Sequence, residues 1–195
     1  MCSYYTDKNP ELSLNMFVMK TVHLRKIVEE ASAHSLESLT TYLLSTYKQS
    51  EYRSFCYDGY VASVCSFSDY YNCSMELIKN EKARASLLWK KNTPIFTRIH
   101  NSSPAIHLQG GESKNSMLAD ECIIEGTVIN SVLFRGVRVE KGAVVKNSVL
   151  FHGTHIGKGT EVNCIVTDKD VYVTDGVKLS GNENMPFYVH KSRKI

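Results

Sequence analysis

The stretch Asn130-Ser-Val-Leu-Phe-Arg-Gly-Val-Arg-Val-Glu-Lys-Gly-Ala-Val-Val145 returns immediately downstream as Asn147-Ser-Val-Leu-Phe-His-Gly-Thr-His-Ile-Gly-Lys-Gly-Thr-Glu-Val162, with nine of sixteen positions identical. The beat extends outward. Asn115-Ser-Met-Leu, Asn130-Ser-Val-Leu, Asn147-Ser-Val-Leu and Asn163-Cys-Ile-Val follow one another at nearly constant spacing, and an aliphatic-x-x-Gly element ends at Gly142, Gly159 and Gly176. A period of about 18, made of three sides of about six residues with one aliphatic residue per side pointing inward, is the pattern of a left-handed parallel β-helix of hexapeptide repeats. Val139, Val145, Ile156 and Val162 fit the inward positions. Glycine at or near a corner lets the backbone turn where a Cβ would clash. About three to four coils fit between residues 115 and 177, and a rod of this kind has two ends that need capping or a partner.

Glycine usage divides the chain. Of 11 glycines only Gly59 precedes residue 110. The β-helix is assigned to residues 115–195, residues 101–114 with Pro104, Gly110 and Gly111 to a linker, and residues 1–100 to an α/β part. The apolar run at residues 16–19 suits a buried strand. Leu24, Ile27, Val28 and Ala31, then Leu36, Leu39, Leu43, Leu44 and Tyr47, make two helical stripes read as core faces. Residues 52–57 and 60–64 flank Asp58-Gly59 and predict a hairpin, because both turn residues tolerate positive φ. Ser66 or Ser68 is expected to cap a helix running through Leu77, with a further helical piece over residues 82–88 and a short strand after Pro94.

Composition narrows the function. The chain has 195 residues, 43% of them hydrophobic, which is enough to bury a core. Its net charge is only +3, and the basic residues between Lys79 and Arg98 are interleaved with Leu87, Leu88 and Trp89. They read as a solvated helix face and not as a nucleic-acid patch, which needs clustered cations. Lys191-Ser-Arg-Lys194 reads as a frayed terminus. Cys2, Cys56, Cys65, Cys73, Cys122 and Cys164 show no CxxC pair, so they are expected as free thiols in a reducing cytoplasm. The opening residues lack the apolar core of a signal peptide, and no run approaches a membrane span.

β-Helices of this type serve both acyltransferases and sugar-nucleotide pyrophosphorylases, so the fold does not choose between them. An acyltransferase needs a catalytic histidine. His152 and His155 stand where the preceding repeat has Arg135 and Arg138, which marks them as exposed coil residues.

The segment Cys122-Ile-Ile-Glu-Gly-Thr-Val-Ile-Asn-Ser-Val-Leu-Phe-Arg-Gly-Val-Arg-Val139 resembles the start of the β-helix of the ADP-glucose pyrophosphorylase (glucose-1-phosphate adenylyltransferase) family, and within it the regulatory, GlgD-type subunits. Residues 13–17 look like the strand entering the family's sugar-phosphate site, Tyr70-Tyr71 like the aromatic pair of the helix after the active-site loop, and Pro94-Ile95 with Thr97 like the lead into the β-helix. The resemblance therefore covers most of the chain and is strongest in the repeats. It implies an incomplete carboxy-terminal part of a nucleotidyltransferase α/β domain followed by the β-helix.

Departures from the family pattern carry the functional expectation. The catalytic members have a Gly-rich loop that wraps the ATP phosphates through backbone N–H groups. With Gly59 alone ahead of Gly110 there is no such loop, and the nucleotide-binding half is expected to be absent. Nothing around Lys8 matches the family's sugar-phosphate lysine, so that role is not carried over. Catalytic subunits also carry a Trp-Arg-Asp-Val-Gly-Thr-like motif whose aspartate holds magnesium. The matching stretch here is Val61-Ala-Ser-Val-Cys-Ser66, with Ser63 in place of the aspartate. The resemblance thus implies a chain that is inactive alone, binds no cofactor itself, and acts by assembly with a catalytic subunit that carries the magnesium, in a homo- or hetero-oligomer. Ser13 matches a family serine near the glucose phosphate and is the one candidate substrate-binding residue. The alternatives are a truncated active adenylyltransferase subunit and a free-standing hexapeptide acyltransferase.

Overall fold

The computed structural model describes residues 13–33, 38–46, 53–57, 59–89, 94–98 and 100–195. They divide into two compact units, residues 1–57 and 58–195.

In the first unit, α1 (Thr21–Ala33) and α2 (Leu39–Thr46) are helical as the stripes predict. The Tyr42 hydroxyl donates to the Glu30 carboxylate. Among the described residues the core expected of the stripes is built only in part. Leu43 is buried, but α1 buries no residue and leaves Leu24 and Val28 40% and 57% exposed. Residues 16–20 form no strand, and Met16 and Val18 are exposed. The predicted hairpin is also missing: residues 53–57 and 60–64 carry no strand, while Tyr52 and Asp58 lie outside the described residues, as do Cys2, Lys8, Leu36, Tyr47 and the side chain of Leu44. Nor do residues 94–98 form the strand expected after Pro94. A strand needs a neighbouring strand to take its N–H and C=O groups, and among the described residues these segments join no sheet.

The second unit contains the β-helix. Three parallel sheets of five short strands each form its faces. On the first, Ile106, Ile123, Arg138, His155 and Tyr172 stand in register, on the second Ser113, Val128, Val145, Val162 and Leu179, and on the third Met117, Val132, Val149, Val166 and Tyr188. Val139, Val145, Ile156 and Val162 point inward and are 1% exposed or less, joined by Val128, Leu133, Leu150 and Val173 in one continuous core. The rod begins earlier than residue 115. Residues 101–114, read as a linker, supply two strands of the first rung, Ile106–His107 and Glu112–Lys114. Their aliphatic signal is weak because the inward positions at this end are His107 and Ser113, whose side chains hydrogen-bond at 2.9 Å and close the core with a polar pair.

The corner between the second and third faces is set by residues of positive φ, one per coil: Asn115, Asn130, Asn147 and Cys164. Asparagine tolerates this region because its short side chain can bond locally. Here the amides also bond along the rod, Asn115 to Asn130 at 2.9 Å and Asn147 to Asn163 at 3.0 Å. This corrects one repeat alignment. Val149 pairs with Val166, so Asn147 is level with Cys164 and not with Asn163. The step from Val166 to Tyr188 is longer than the other steps on this face, and the excess is extruded as a turn in which Asn182 and Met185 bridge. The basic tail is not frayed. It adds to the first face, with Tyr172 N–H donating to Arg193 O at 2.8 Å and Ile195 N–H to Tyr172 O at 2.9 Å.

Two helices lie on this unit. Ser66 caps α3 (Phe67–Lys79) by accepting from Asp69 N–H, and Asn80 ends α3 and caps α4 (Glu81–Leu88). Arg84 donates to the carbonyls of Leu77 and Ile78 at 3.1 and 3.0 Å, satisfying groups that the end of α3 leaves open. Tyr71, Met75 and Ile78, spaced on one side of α3, bury against Val149 and Val166 of the third face. The Tyr71 hydroxyl reaches the rod directly, donating to Asn147 O at 2.7 Å.

Candidate functional site

The corner after the third face collects charge. Gly153 N–H donates to Arg135 O, Asp170 N–H to His152 O and Ser192 N–H to Lys169 O, so Arg135, His152, Lys169 and Lys191 sit one above another on successive coils. Each is followed by a residue of positive φ: Gly136, Gly153, Asp170 and Ser192. At Gly153 the constraint is double, since a Cβ there would lie 2.6 Å from Asp170 Oδ1. Phe134, Arg135, His152 and Lys169 line an open groove along this edge.

One wall of the groove is aromatic. Phe134 and Phe151 pack at 4.8 Å between ring centroids, and Tyr70 of α3 meets Phe151 edge-on at 6.0 Å. Arg135 Nε is buried without a hydrogen-bond partner. The carboxylates of Asp168 and Asp170 flank Lys169 at the upper end. Asp168 accepts from Lys169 N–H at 2.7 Å and from the Tyr188 hydroxyl at 3.1 Å, and the Lys169 backbone bond chiefly holds its carboxyl below the usual carboxylate range. Guanidinium and ammonium donors above an apolar wall suit a small anion bearing several oxygens. The groove offers no nucleophile with an oriented base, and among the described residues no three His, Cys, Asp or Glu side chains are grouped to hold a metal.

The candidates from the sequence do not meet in one place. Ser13 is exposed in the first unit, where its Oγ accepts from Asn15 N–H at 3.2 Å. Ser63 is exposed in the second unit, with Oγ 3.3 Å from Cys65 Sγ. The carboxylate that follows, Asp69, is taken up locally. It accepts from Cys65 N–H at 3.2 Å, and its pKa is lowered first by the hydrogen bond with the Ser66 side chain and then by that backbone bond. His155 stands level with Arg138, as the repeat predicts, but it is part-buried and not exposed, stacked on Tyr172 at 4.6 Å with Nε2 3.4 Å from Glu140 Oε1. His152 is exposed, again as expected, but it also lines the groove. The repeat pattern by itself does not single out the groove, although its signal is present: Arg135, His152 and Lys169 recur at the spacing of the coils.

Comparisons with known proteins agree with the architecture. A family model described as GlmU-like, C-terminal hexapeptide matches residues 103–186. The chain is 36% identical over 182 residues to the glycogen biosynthesis protein GlgD of Bacillus subtilis, covering 92% of this chain and 52% of that protein. It is 35% identical over 133 residues to the GlgD protein of Geobacillus stearothermophilus, covering 68% and 38%. Identity to the glucose-1-phosphate adenylyltransferase of Mycoplasma mobile is 29% over 145 residues, covering 71% of this chain and 37% of that protein. The chain thus spans about half, or less, of the length of these relatives. Among the described residues, no helix is long and apolar enough to cross a membrane.

Proposed function

From the similarity of this chain to GlgD and glucose-1-phosphate adenylyltransferase proteins, we propose that it is the carboxy-terminal portion of a non-catalytic, GlgD-type subunit acting in cytoplasmic glycogen biosynthesis. It works by assembly with a catalytic subunit that makes ADP-glucose from ATP and glucose 1-phosphate. The observation that carries the non-catalytic reading is Ser63. Magnesium requires hard anionic oxygens. Where the family has its metal-binding aspartate, this chain offers a neutral hydroxyl beside a thiol, and the Asp69 carboxylate is committed to the start of α3. The residues present do not fit the metal, so no step of the reaction is assigned to them.

What remains for this chain is contact and regulation. The groove of Arg135, His152 and Lys169 supports a regulatory role, because the guanidinium of Arg135 and the ammonium of Lys169, held on a rigid rod, suit a phosphorylated or carboxylated effector without the cost of ordering a loop. The test is enzymatic. The purified chain with ATP, glucose 1-phosphate and magnesium should form no ADP-glucose, whereas adding it to a catalytic subunit should change that enzyme's rate. Synthesis of ADP-glucose by this chain alone would refute the proposal.

A further inference from the structure

We infer that the groove is cut to the length of one diphosphate group, carried free as inorganic pyrophosphate or esterified in a nucleoside diphosphate, a reading that rests on the groove being an effector site. Joining ATP to glucose 1-phosphate yields both forms, because pyrophosphate leaves as ADP-glucose is made. A site for that group lets the assembly sense its own products. What carries the assignment is the order of charge along the corner. Gly136 N–H donates to Asp120 O at 3.1 Å, which places Asp120 one coil below Arg135, while Asp168 and Asp170 flank Lys169 two coils above it. Basic side chains thus line the column from Arg135 through His152 to Lys169, and carboxylates close the stretch at both ends. Lys191 lies on the far side of the upper pair.

Length decides the ligand. Stacked coils are about 4.8 Å apart, so Arg135 and Lys169 rise about 10 Å from one another. With a charge-assisted bond of about 2.8 Å at each end, the anion between them has to span about 4 Å. One phosphoryl group is too short to meet both cations, and two phosphoryl groups sharing one bridging oxygen reach them together. A third group would run against Asp120 or against Asp168 and Asp170, where like charge opposes it. Three further features favour such an occupant. Arg135 Nε is buried without an acceptor, and a donor in that state costs stability until an oxygen reaches it. The His152 ring rests over Gly136, where a Cβ would lie 3.8 Å from its Cε1, which sets an imidazole between the two cations. Phe134, 39% exposed beside Arg135, offers its ring to the sugar or base of an esterified diphosphate.

Isothermal titration calorimetry of this chain, in buffer free of divalent cations, compares inorganic phosphate, pyrophosphate and tripolyphosphate. Pyrophosphate is expected to bind about tenfold or more tighter than phosphate, and tripolyphosphate no more than about twofold tighter than pyrophosphate. Equal binding of phosphate and pyrophosphate overturns the inference. So does an affinity that keeps rising to tripolyphosphate, the mark of an unbounded cationic edge. Asp120→Asn combined with Asp170→Asn removes a carboxylate from each end and should lift tripolyphosphate at least about fivefold above pyrophosphate; no gain also overturns it. Asparagine suits position 170, which takes positive φ. ADP distinguishes the two sources: binding at least as tight as that of pyrophosphate assigns the esterified form, weaker binding assigns the free one, and either upholds a diphosphate site. These affinities are measured without a catalytic subunit. The diphosphate site can therefore fail while the chain still changes that enzyme's rate, and the regulatory role can fail while pyrophosphate still binds.

Discussion

The Tyr71 hydroxyl hydrogen-bonds to the main-chain oxygen of Asn147 at 2.7 Å, joining a buried helix residue to the one residue of its coil that takes positive φ at that corner. Tyr71 is 2% exposed, so removing its hydroxyl leaves a carbonyl unpaired beneath α3. Tyr71→Phe should lower the stability of the second unit by about 1–2 kcal/mol, and Tyr71→Ala by about 3–5 kcal/mol, since it also opens a cavity. Urea unfolding followed by circular dichroism measures both. Equal effects of the two variants would mean that ring packing contributes little.

Asn147 itself separates conformation from bonding. Its φ is 45°, and its side chain bonds Asn163 at 3.0 Å. Asn147→Gly keeps the backbone freedom and loses only the amide contacts, an expected cost of about 1 kcal/mol. Asn147→Ala loses both, and the left-handed conformation adds about 1–2 kcal/mol. Alanine must therefore prove the worse replacement in thermal unfolding. The reverse order would show that the corner does not require a residue tolerant of the left-handed conformation.

The rod should weaken in alkali. Cys122 is fully buried, with Sγ donating to Phe134 O at 3.2 Å, and burial raises its pKa above the ordinary thiol value of 9.0. The unfolded thiol ionises first, so the stability this group contributes is intact below pH 9 and is lost as pH rises beyond it, by at most about 1.4 kcal/mol per pH unit. Tyr71, raised likewise by burial, adds its own loss above pH 10. Val137 on the next coil and Val171 two coils beyond it occupy the position of Cys122. Cys122→Val should accordingly fold and show a flatter decline between pH 9 and 10. An unchanged slope would assign the alkaline loss to other groups.

The β-helix is legible in the sequence because its inward positions recur and its corners demand glycine or asparagine. Legibility fades where a coil departs from its neighbours. At the first rung His107 and Ser113 replace aliphatic residues, so two strands pass for a linker. At Asn163 a side chain reaches into the asparagine ladder from the adjacent backbone position, so matching letters misplaces the register by one residue. The tail hides its role because Lys191, Arg193 and Lys194 look solvated while their backbone continues the first face. In residues 13–65 the pattern predicts strands whose partners are not among the described residues, and local preference alone does not make a sheet. The cationic groove lies between these cases: its regular spacing is in the sequence, but its meaning depends on the coils being stacked.

That stacking makes the groove testable by charge. Lys169 and Arg135 stand on coils separated by His152, so one multivalent anion bridging them would lose a charged contact with either substitution. Arg135→Gln and Lys169→Gln should each weaken binding of inorganic pyrophosphate by about tenfold, the equivalent of about 1.4 kcal/mol, and added salt should weaken wild-type binding further. Asp168→Asn removes one of the two carboxylates beside Lys169 and should strengthen binding, because the lowered pKa of Asp168 keeps it negative at neutral pH. Lys178→Gln serves as the control, since that lysine is paired with Glu161 at 2.9 Å on the second face and should leave binding unchanged. Isothermal titration calorimetry separates the outcomes. If all four variants bind alike, the column of cations is a solvated edge of the rod and the effector binds elsewhere in the assembly.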